Sequence, residues 1–178
     1  MKILAVYPGT FDPIHYGHVD IIHRASLLFD ELRVAVYDKP LKSLLFSPEE
    51  RIALVTEAVG SLNLPNLRVV GYSGLTVEFC RKVGAQVMVR GLRVFSDFEH
   101  EFRMTLANHR LAPEIETVPL ITREEHSFVS STTVREIASL GGDVSSLVPP
   151  HVAAALKRRF TELGDEGGKV VPMTSLRD

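Results

Sequence analysis

Residues 3–18 read Ile-Leu-Ala-Val-Tyr-Pro-Gly-Thr-Phe-Asp-Pro-Ile-His-Tyr-Gly-His. An apolar run leads into a turn rich in proline and glycine, and two histidines follow where a helix should begin. A helix N-terminus carries unpaired N–H groups and a partial positive charge, which makes it a natural site for phosphate. Thr10, His15 and His18 lie within reach of a polyphosphate bound there. The stretch therefore predicts a strand–turn–helix unit with a phosphate-binding turn.

The same alternation of apolar runs and helical segments continues along the chain. Runs rich in Val, Ile and Leu occur at 3–7, 32–37, 67–72, 86–89 and 117–121. Strands and helices in alternation are typical of βαβ units around a parallel sheet. We therefore expect an α/β fold: a Rossmann-like, doubly wound sheet of five parallel strands with helices on both faces.

Six helices are expected between and after these strands. The spacing predicts helices over about 17–30, 48–59, 75–84, 96–111, 131–140 and 150–163. The second is the clearest, because Ser47-Pro48-Glu49-Glu50 combines an N-cap serine, a proline at the first helical position and a capping-box glutamate. The fourth is expected to be capped by Ser96 or Asp97. Its Phe98, Phe102 and Leu106 share a face that we assign to packing.

Length and composition indicate one compact domain. Residues 1–163 are expected to form it, and residues 164–178, which lack periodicity, are expected to be a mobile C-terminal tail. A net charge of −2 gives no basic footprint for nucleic acid. Cys80 is the only cysteine, so the chain has no disulfide framework. With no signal peptide or membrane span in the sequence, we expect a cytoplasmic protein with no membrane partner.

Polar residues cluster where the expected strands end. The clusters lie at 10–18, 39–43, 73–76, 90–93 and 122–133. In an open parallel sheet, ligands bind beyond the carboxyl ends of the strands, where the strand order reverses. All five turns lie at one edge of such a sheet, so the clusters predict a ligand site there.

Neither common glycine-rich phosphate motif follows the first strand. Gly17 allows close backbone approach at the helix entry, and His18 can donate a hydrogen bond to a phosphoryl oxygen. The alternative is a zinc site, since histidines three residues apart can share a metal ion. Its candidate ligands are Asp12, His15, His18 and His23.

Arg90-Gly91-Leu92-Arg93 places two guanidinium groups after the fourth strand, and such groups bind phosphate oxygens bidentately. The alternative is that one arginine pairs with Asp97 or Glu99. Asp97, Glu101 and Asn108 fall at i, i+4 and i+11 of the fourth helix and share one face, which begins close to the arginines.

Four consecutive hydroxyl residues, 130–133, open the fifth helix after His126-Ser127-Phe128-Val129. One N-cap needs only one hydroxyl group. The surplus favours binding of nucleotide phosphate through hydroxyl groups and helix N–H groups.

Together these motifs closely resemble the bacterial phosphopantetheine adenylyltransferases, of the nucleotidyltransferase superfamily with a Thr/His-x-Gly-His signature. The resemblance spans nearly all of residues 1–160. It is carried by Tyr-Pro-Gly-Thr-Phe-Asp-Pro-Ile at 7–14, Gly17-His18, Glu49-Glu50-Arg51, Arg90-Gly91-Leu92-Arg93, Asp97-Phe98-Glu99 with Glu101, and Ser127-Phe128-Val129-Ser130-Ser131. The Gly-His element alone marks only the superfamily, so the combination carries the specificity.

The resemblance implies transfer of AMP from ATP to 4′-phosphopantetheine, giving dephospho-coenzyme A and pyrophosphate in coenzyme A biosynthesis. It also implies Mg²⁺ on the ATP phosphates, a homohexamer and feedback inhibition by coenzyme A. The implied catalytic residues are His18, Lys42 and Arg90. The implied acceptor site comprises Thr10, Lys42, Leu75, Thr76, Arg90 and Asn108. The implied ATP site comprises Thr10, Phe11, Gly17, His18, Gly91, Leu92, Arg93, Glu101, His126, Ser127, Phe128, Val129, Ser130, Ser131 and Thr132.

Two positions depart from the family pattern. Thr132 stands where a third serine is common, which resembles the nicotinate or nicotinamide mononucleotide adenylyltransferases, and His126 stands where an aromatic residue is frequent. Transfer to such a mononucleotide is therefore an alternative reaction. A second alternative, from a different class, is a non-catalytic nucleotide-binding module that binds ATP without releasing pyrophosphate.

Overall fold

The computed structural model describes residues 2–40 and 43–165. The predicted catalytic Lys42 lies outside these residues, and so do residues 166–178 of the predicted tail. None of the helices within the described ranges is both long enough and apolar enough to cross a membrane.

Five parallel strands form one sheet in the order β3-β2-β1-β4-β5. The strands are β1 (Leu4–Gly9), β2 (Glu31–Tyr37), β3 (Leu67–Tyr72), β4 (Val87–Leu92) and β5 (Glu116–Ile121). The helices are α1 (Tyr16–Leu28), α2 (Pro48–Gly60), α3 (Thr76–Val83), α4 (Phe95–Leu111), α5 (Ser131–Ser139) and α6 (Pro150–Asp165), with a 3₁₀ turn at Glu124–His126 before α5. This topology confirms the predicted doubly wound parallel sheet.

Helices cover both faces of the sheet because side chains alternate along each strand. On one face Tyr7, Val34 and Val89 belong to a core shared with α1, α2, α5 and α6. On the other face Val6 and Met88 pack with α3 and the segment that follows α4. The predicted placement of helices on both faces is confirmed.

The strand order reverses at β1, which lies between β2 and β4. β1 pairs with β2 along its whole length, from Leu4 to Gly9, whereas it pairs with β4 only at Ala5 and Val6. The carboxyl ends of β1 and β4 are therefore not joined, and a crevice can open between them. This is the position at which ligands bind in doubly wound sheets.

The helix ends predicted for the start of α2 and for the ends of α3 and α5 are confirmed. Ser47 Oγ accepts from the Glu50 N–H at 3.2 Å and Glu50 returns a bond to the Ser47 N–H at 2.8 Å, forming the predicted capping box. Gly84 and Gly141 have φ angles of +73° and +75°, which glycine adopts without strain, directly after α3 and near the end of α5.

Two predicted boundaries are wrong. The fourth strand was expected to end at residue 89, but pairing with β5 continues it to Leu92, so Arg90 and Gly91 are strand residues. The cap predicted for α4 at Ser96 or Asp97 also fails, because the helix begins at Phe95 after Val94. The Asp97 carboxylate instead accepts from the backbone N–H of Arg93 at 3.1 Å.

The packing predicted for the apolar face of α4 is not made within the single chain. Phe98, Phe102 and Leu106 are all exposed, and none of the described side chains of α4 is buried. The helix approaches β4 with its polar side, through Asp97 and Glu101, and this turns the aromatic residues outward.

Candidate active site

The turn between β1 and α1 is built around a buried phenylalanine. Phe11 has a φ of +51°, an unusual value for a residue other than glycine. Its ring is buried and lies edge-on to Tyr7 and His18, with ring centroids 5.6 and 5.0 Å apart. Phe11, predicted to contact ATP, thus has its side chain in the core, where it supports the His18 ring.

His18 lies at the start of α1, and its orientation is fixed by the backbone. The N–H of His15 donates to Nδ1 of His18 at 3.3 Å. Because Nδ1 accepts this bond, the neutral His18 ring carries its proton on Nε2. The arrangement makes Nε2 the hydrogen-bond donor of the ring, as the predicted phosphate contact requires.

His15 stacks on His18 with ring centroids 3.7 Å apart and an angle of 24° between the planes. Burial lowers the pKa of His15 well below its usual value of 6.5, and the electrostatic interaction with His18 lowers it further. Its Nδ1 is buried and has no hydrogen-bond partner in the described part of the chain. His15 is therefore a neutral ring that packs against His18.

The buried His15 should make stability pH-dependent. Below about pH 6.5 the unfolded chain gains a proton on His15 that the folded chain does not, so stability falls as pH falls toward the lowered pKa. Between about pH 7.5 and pH 5.5, we expect wild type to lose more unfolding free energy than His15→Phe, by an amount on the order of 1 kcal/mol. Urea titrations at both pH values measure this difference. Equal losses in the two proteins would contradict a depressed pKa.

Position 17 requires glycine because the His15 ring lies close to its Cα atom. A Cβ atom at this position would lie 3.0 Å from Cε1 and 3.1 Å from Nδ1 of His15. The absence of a side chain at Gly17 therefore allows His15 to stack on His18.

We expect Gly17→Ala to lower kcat roughly tenfold, because a shift of the His15 ring moves His18 from its working position. Unfolding free energy should change by less than about 1 kcal/mol, since alanine favours a helix over glycine by a similar amount. The matched control is Gly60→Ala, where an added Cβ meets nothing within 4 Å. Steady-state kinetics and thermal melts separate the two effects, and unchanged kcat for Gly17→Ala would contradict this role.

Arg90, near the end of β4, pairs with Glu101 of α4. Its Nε and Nη2 each donate to a carboxylate oxygen of Glu101 at 2.6 Å, and Nη1 donates to the Pro8 carbonyl at 3.3 Å. Burial lowers the pKa of Arg90, but the hydrogen bonds and charge of Glu101 outweigh this and raise it. The guanidinium is therefore a fixed cation between β1 and α4. Glu101, predicted to bind ATP, has its carboxylate engaged by Arg90.

Arg93 connects β4 to the segment before α5. Its Nε lies 3.0 Å from the Asp97 carboxylate, and its Nη1 donates to the Val129 carbonyl at 3.0 Å. The alternative that one of the two arginines pairs with Asp97 is confirmed for Arg93. The contact also ties two predicted ATP-binding turns together.

The two arginines lie close enough to the buried Tyr7 hydroxyl, at the end of β1, to influence its pKa. Burial raises the pKa of its hydroxyl, while the charges of Arg90 and Arg93 oppose the rise. Tyr7 in turn packs against Phe11, which contacts His18. The structure thus brings His18, Arg90 and Arg93 around one end of the sheet.

The hydroxyl groups before and within α5 have mixed roles. Ser130 is the N-cap and accepts from the Thr133 N–H at 3.0 Å, while Ser131 Oγ donates to the Pro13 carbonyl at 2.8 Å. Ser127 Oγ donates to the Glu124 carbonyl at 2.8 Å. Thr132 is exposed. Within 130–133, local hydrogen bonds therefore engage the hydroxyls of Ser130, Ser131 and Thr133, and the predicted surplus is smaller than the sequence indicated.

The predicted ATP-binding segment 126–129 contains both exposed and buried side chains. The His126 ring stacks on Tyr16 with centroids 6.3 Å apart, which holds it over the N-terminus of α1. Phe128 is exposed, whereas Val129 is buried and contributes its carbonyl to Arg93. The 3₁₀ turn therefore covers the α1 end of the crevice.

The predicted acceptor residues lie around α3 and α4. Thr76 Oγ1 hydrogen-bonds the Tyr72 hydroxyl at 2.9 Å, and Leu75 is the exposed N-cap of α3. Asn108 on α4 contacts the Met88 sulfur at 3.8 Å. Met88 and Arg90 point to the same face of β4, so these groups share a side of the sheet with the arginine.

The sequence did not reveal the structural roles of three residues that hold the site together, Asp12, Arg51 and Arg135. Buried Asp12 accepts from the N–H groups of Leu45 and Phe46 at 2.9 and 3.0 Å and also pairs with Arg135 of α5. Buried Arg51 donates to four backbone carbonyls, those of Thr10, Tyr37, Asp38 and Phe46. Both bind the chain on either side of residues 41–42 to the β1–α1 turn. The only sequence signals for these roles were the Asp-Pro turn, which contains Asp12, and the Glu-Glu-Arg element, which contains Arg51.

No group of three or more His, Cys, Asp or Glu side chains within residues 2–40 and 43–165 is placed to hold a metal ion. The Asp12 carboxylate, a candidate zinc ligand, is bound by two N–H groups and Arg135. The stacked histidines and this engaged carboxylate do not form the zinc site considered above.

Comparisons with known proteins agree with this geometry. The sequence profile of the cytidylyltransferase-like family matches residues 6–137. A phosphopantetheine adenylyltransferase of Herpetosiphon aurantiacus is 54% identical over 157 residues, which cover 88% of this chain and 94% of that protein. The chain belongs to the phosphopantetheine adenylyltransferase family. A family member from Methylococcus capsulatus is 51% identical over 164 residues, 92% of this chain and 100% of that protein.

A solved structure shows that the family fold extends to more distant proteins. A putative nicotinate-nucleotide adenylyltransferase from Vibrio parahaemolyticus superposes with a TM-score of 0.67 at 21% identity, covering 88% of this chain and 99% of that one. At this identity the likeness concerns the fold alone. Membership of the phosphopantetheine adenylyltransferase family therefore rests on the sequence relatives.

Proposed function

We propose that this protein transfers the adenylyl group of ATP to 4′-phosphopantetheine, forming dephospho-coenzyme A and releasing pyrophosphate. The observation that carries the proposal is the set of donor groups at the reversal point of the sheet, in a chain of this family. There His18 is fixed as an Nε2 donor and Arg90 and Arg93 are held by carboxylates of α4. These groups suit two phosphorylated substrates that meet at one crevice.

The proposed chemistry needs no protein nucleophile. An oxygen of the acceptor phosphate attacks the α-phosphorus of ATP in line, the new P–O bond forms, and the bond to pyrophosphate breaks. Negative charge develops on the oxygens around phosphorus, so positioning and electrostatic stabilisation should supply most of the rate. His18 would donate to one of these oxygens, and Lys42 and Arg90 would supply positive charge.

The residues divide into two proposed substrate sites. Thr10, Lys42 and Arg90 would hold the acceptor phosphate, with Leu75, Thr76 and Asn108 along the pantetheine arm. The proposed role of Lys42 is supported by Asp12 and Arg51, which bind Asp38 and Phe46, on the two sides of residues 41–42, to the β1–α1 turn. The segments at 91–93 and 126–132, joined by the Arg93–Val129 contact, would hold ATP.

Magnesium is proposed to enter as part of the MgATP substrate. Mg²⁺ prefers oxygen ligands and usually keeps several waters, with phosphates as its main partners. Asp97 and Glu101, the acidic residues of α4 that face the crevice, are paired with Arg93 and Arg90. These residues fit an ion carried by the nucleotide, which would neutralise charge on the leaving pyrophosphate.

Arg90 provides a test of the acceptor site. Losing one hydrogen bond to a charged group costs about 1.5–3 kcal/mol, or roughly 10–150-fold in binding. We expect Arg90→Lys to raise KM for 4′-phosphopantetheine by about tenfold or more, with a smaller change in KM for ATP, because lysine lacks the forked geometry. The control is Arg81→Lys on α3, since Arg81 also pairs with glutamates, Glu78 and Glu114. An equal rise in both KM values would contradict this assignment.

Pyrophosphate release with a panel of acceptors tests the proposed reaction. Wild type with ATP should release pyrophosphate when 4′-phosphopantetheine is present and not with nicotinate mononucleotide. Turnover of the mononucleotide alone would support the alternative acceptor suggested by Thr132. ATP binding without pyrophosphate release from any acceptor would support the non-catalytic nucleotide-binding module.

Assembly, regulation and location stay predictions. We propose a homohexamer and feedback inhibition by coenzyme A, both supported only by the family, and a cytoplasmic location. Light scattering at micromolar concentration and inhibition by added coenzyme A measure the first two. Fractionation of the cells that produce the protein measures the third.

A further inference from the structure

Three charged side chains join α1 to the end of β5. Asp20 of α1 has a buried side chain, which is 6% exposed. Arg24, one helical turn later, donates from Nη1 to the Asp20 carboxylate at 3.1 Å and to the Ile121 carbonyl at 2.7 Å. Arg123, two residues after β5, has its Nε 3.2 Å from the other carboxylate oxygen of Asp20. We call Asp20, Arg24 and Arg123 the Asp20 cluster.

The Asp20 cluster lies at one end of the segment that we propose to hold ATP. Arg123 directly precedes the 3₁₀ turn. Within that turn, His126 stacks on Tyr16 of α1. Farther along, the Val129 carbonyl accepts from Arg93. The chain from Arg123 to Val129 is therefore held by the Asp20 cluster at its start, by Tyr16 in its middle and by Arg93 at its end.

The position of Arg123 depends on Asp20. A carboxylate that is removed from water requires cationic or hydrogen-bonding partners, and each oxygen of Asp20 has one arginine. The side chains of Arg24 and Arg123 are 30% and 58% exposed, so water can replace Asp20 as their partner. Removal of the carboxylate would thus release both arginines to solvent and free the start of the 3₁₀ turn.

We propose that Asp20 is a positioning residue for ATP, which acts by holding Arg123 and, through it, the segment 126–132. Asp20 lies two residues after His18 on α1. One helix therefore carries both the proposed phosphate donor and the anchor of the nucleotide segment. This role rests on the proposed function, since ATP is the substrate that the segment would hold.

The role predicts different effects on the two substrates. The printed contacts of the Asp20 cluster are within α1 and with the chain at the end of β5. The proposed acceptor residues Leu75, Thr76 and Asn108 lie on or beside α3 and α4. Loss of the cluster should therefore weaken ATP binding and leave binding of 4′-phosphopantetheine unchanged. A general loss of structure would weaken both.

Equilibrium dialysis with labelled MgATP and steady-state kinetics on the full chain test this role. We expect Asp20→Ala to raise both Kd and KM for ATP about fivefold or more, because each partly exposed ion pair is worth up to about fivefold in an equilibrium. KM for 4′-phosphopantetheine and kcat should stay within about twofold of wild type. The matched control is Glu31→Ala at the start of β2, since Glu31 also lies between two arginines, Arg33 and Arg68.

A double-mutant cycle tests whether Asp20 acts through Arg123. Arg123→Ala should also weaken ATP binding several-fold, and Asp20→Ala/Arg123→Ala should weaken it by less than the product of the two single losses. Thermal melts show whether each variant is folded. Asp20→Asn keeps the shape of the side chain and replaces Asp20→Ala if that variant does not fold. In Asp20→Asn without nucleotide, amide hydrogens of residues 123–128 should exchange at least about threefold faster than in wild type.

Several results would overturn the role of Asp20. They are an unchanged Kd for ATP in folded Asp20→Ala, an equal loss in Glu31→Ala, an equal rise in KM for both substrates, and single losses that multiply in the double variant. Wild type that binds no ATP would refute the proposed function itself. Weaker ATP binding by Asp20→Ala, with no adenylyl transfer in wild type, would refute the proposed reaction and keep the role of Asp20 in nucleotide binding.

Discussion

Replacing His18 with alanine is expected to lower kcat by about 10²–10³-fold, equivalent to about 2.7–4 kcal/mol of transition-state stabilisation. The His15 N–H fixes Nδ1 of His18 as an acceptor, so Nε2 carries the proton that would be donated to the reacting phosphate. Steady-state kinetics with ATP and 4′-phosphopantetheine measure the loss, and thermal melts should show that the variant is folded.

Two further substitutions locate the donor on the ring. The amide nitrogen of glutamine reaches about as far as Nε2, whereas the amide of asparagine ends near the position of Nδ1. His18→Gln should therefore retain at least tenfold more kcat than His18→Asn, because only glutamine keeps a donor near the phosphate. Equal activity of the two variants would place the essential atom elsewhere. Near-normal kcat for His18→Ala would remove His18 from the chemistry.

Asp12→Ala is expected to give the largest loss of stability, about 3–5 kcal/mol of unfolding free energy. The substitution leaves two backbone N–H groups without their acceptor and the Arg135 guanidinium, whose side chain is 16% exposed, without its counter-charge. For a chain of this size, this corresponds to a fall in Tm of roughly 6–20 °C. Urea unfolding and calorimetry measure both quantities.

Controls for Asp12 separate the ion pair from the hydrogen bonds. Asp12→Asn keeps an acceptor oxygen and loses the charge, so it should cost less than Asp12→Ala. Arg135→Leu removes the guanidinium charge that Asp12→Ala leaves unpaired. The double variant Asp12→Ala/Arg135→Leu should therefore be less destabilised than the sum of the two single variants. Additive losses, or a loss below about 1 kcal/mol for Asp12→Ala, would contradict the network. Below its Tm, Asp12→Ala should also lose activity, because Leu45 and Phe46 lose their hydrogen bonds to the β1–α1 turn.

The fold was predictable because its signals are local. Apolar runs mark the strands, and the capping box at Ser47 and the glycines after α3 and α5 mark helix ends, as the structure confirms. The end of β4 was not predictable from these signals. Arg90 and Gly91 resemble a turn in sequence, and only pairing with β5 makes them part of a strand.

The candidate site was predictable in its position and only partly in its contacts. Parallel strands bring the polar turns to one edge, so the grouping of His18 with Arg90 and Arg93 follows from topology. The partners of these groups depend on distances between elements far apart in the chain. The bidentate Arg90–Glu101 pair and the Asp12–Arg135 pair, which joins residues 123 positions apart, therefore required the structure.

The apolar face of α4 shows a further limit. Helical spacing correctly grouped Phe98 with Phe102, but spacing does not tell which face of a helix meets the sheet. In the structure, Glu101 pairs with Arg90 near the end of β4 and Asp97 pairs with Arg93 just after it, so the polar face of α4 is the one that meets the sheet.

A rapid-quench experiment tests whether the adenylyl group passes directly from ATP to 4′-phosphopantetheine. Wild-type protein is mixed with 4′-phosphopantetheine and ATP labelled at the α-phosphorus, and the label is followed through one turnover. We predict that the label moves from ATP to dephospho-coenzyme A in step with pyrophosphate release, with none on the protein. Label bound covalently to the protein, or released as AMP while the acceptor stays unlabelled, would contradict it.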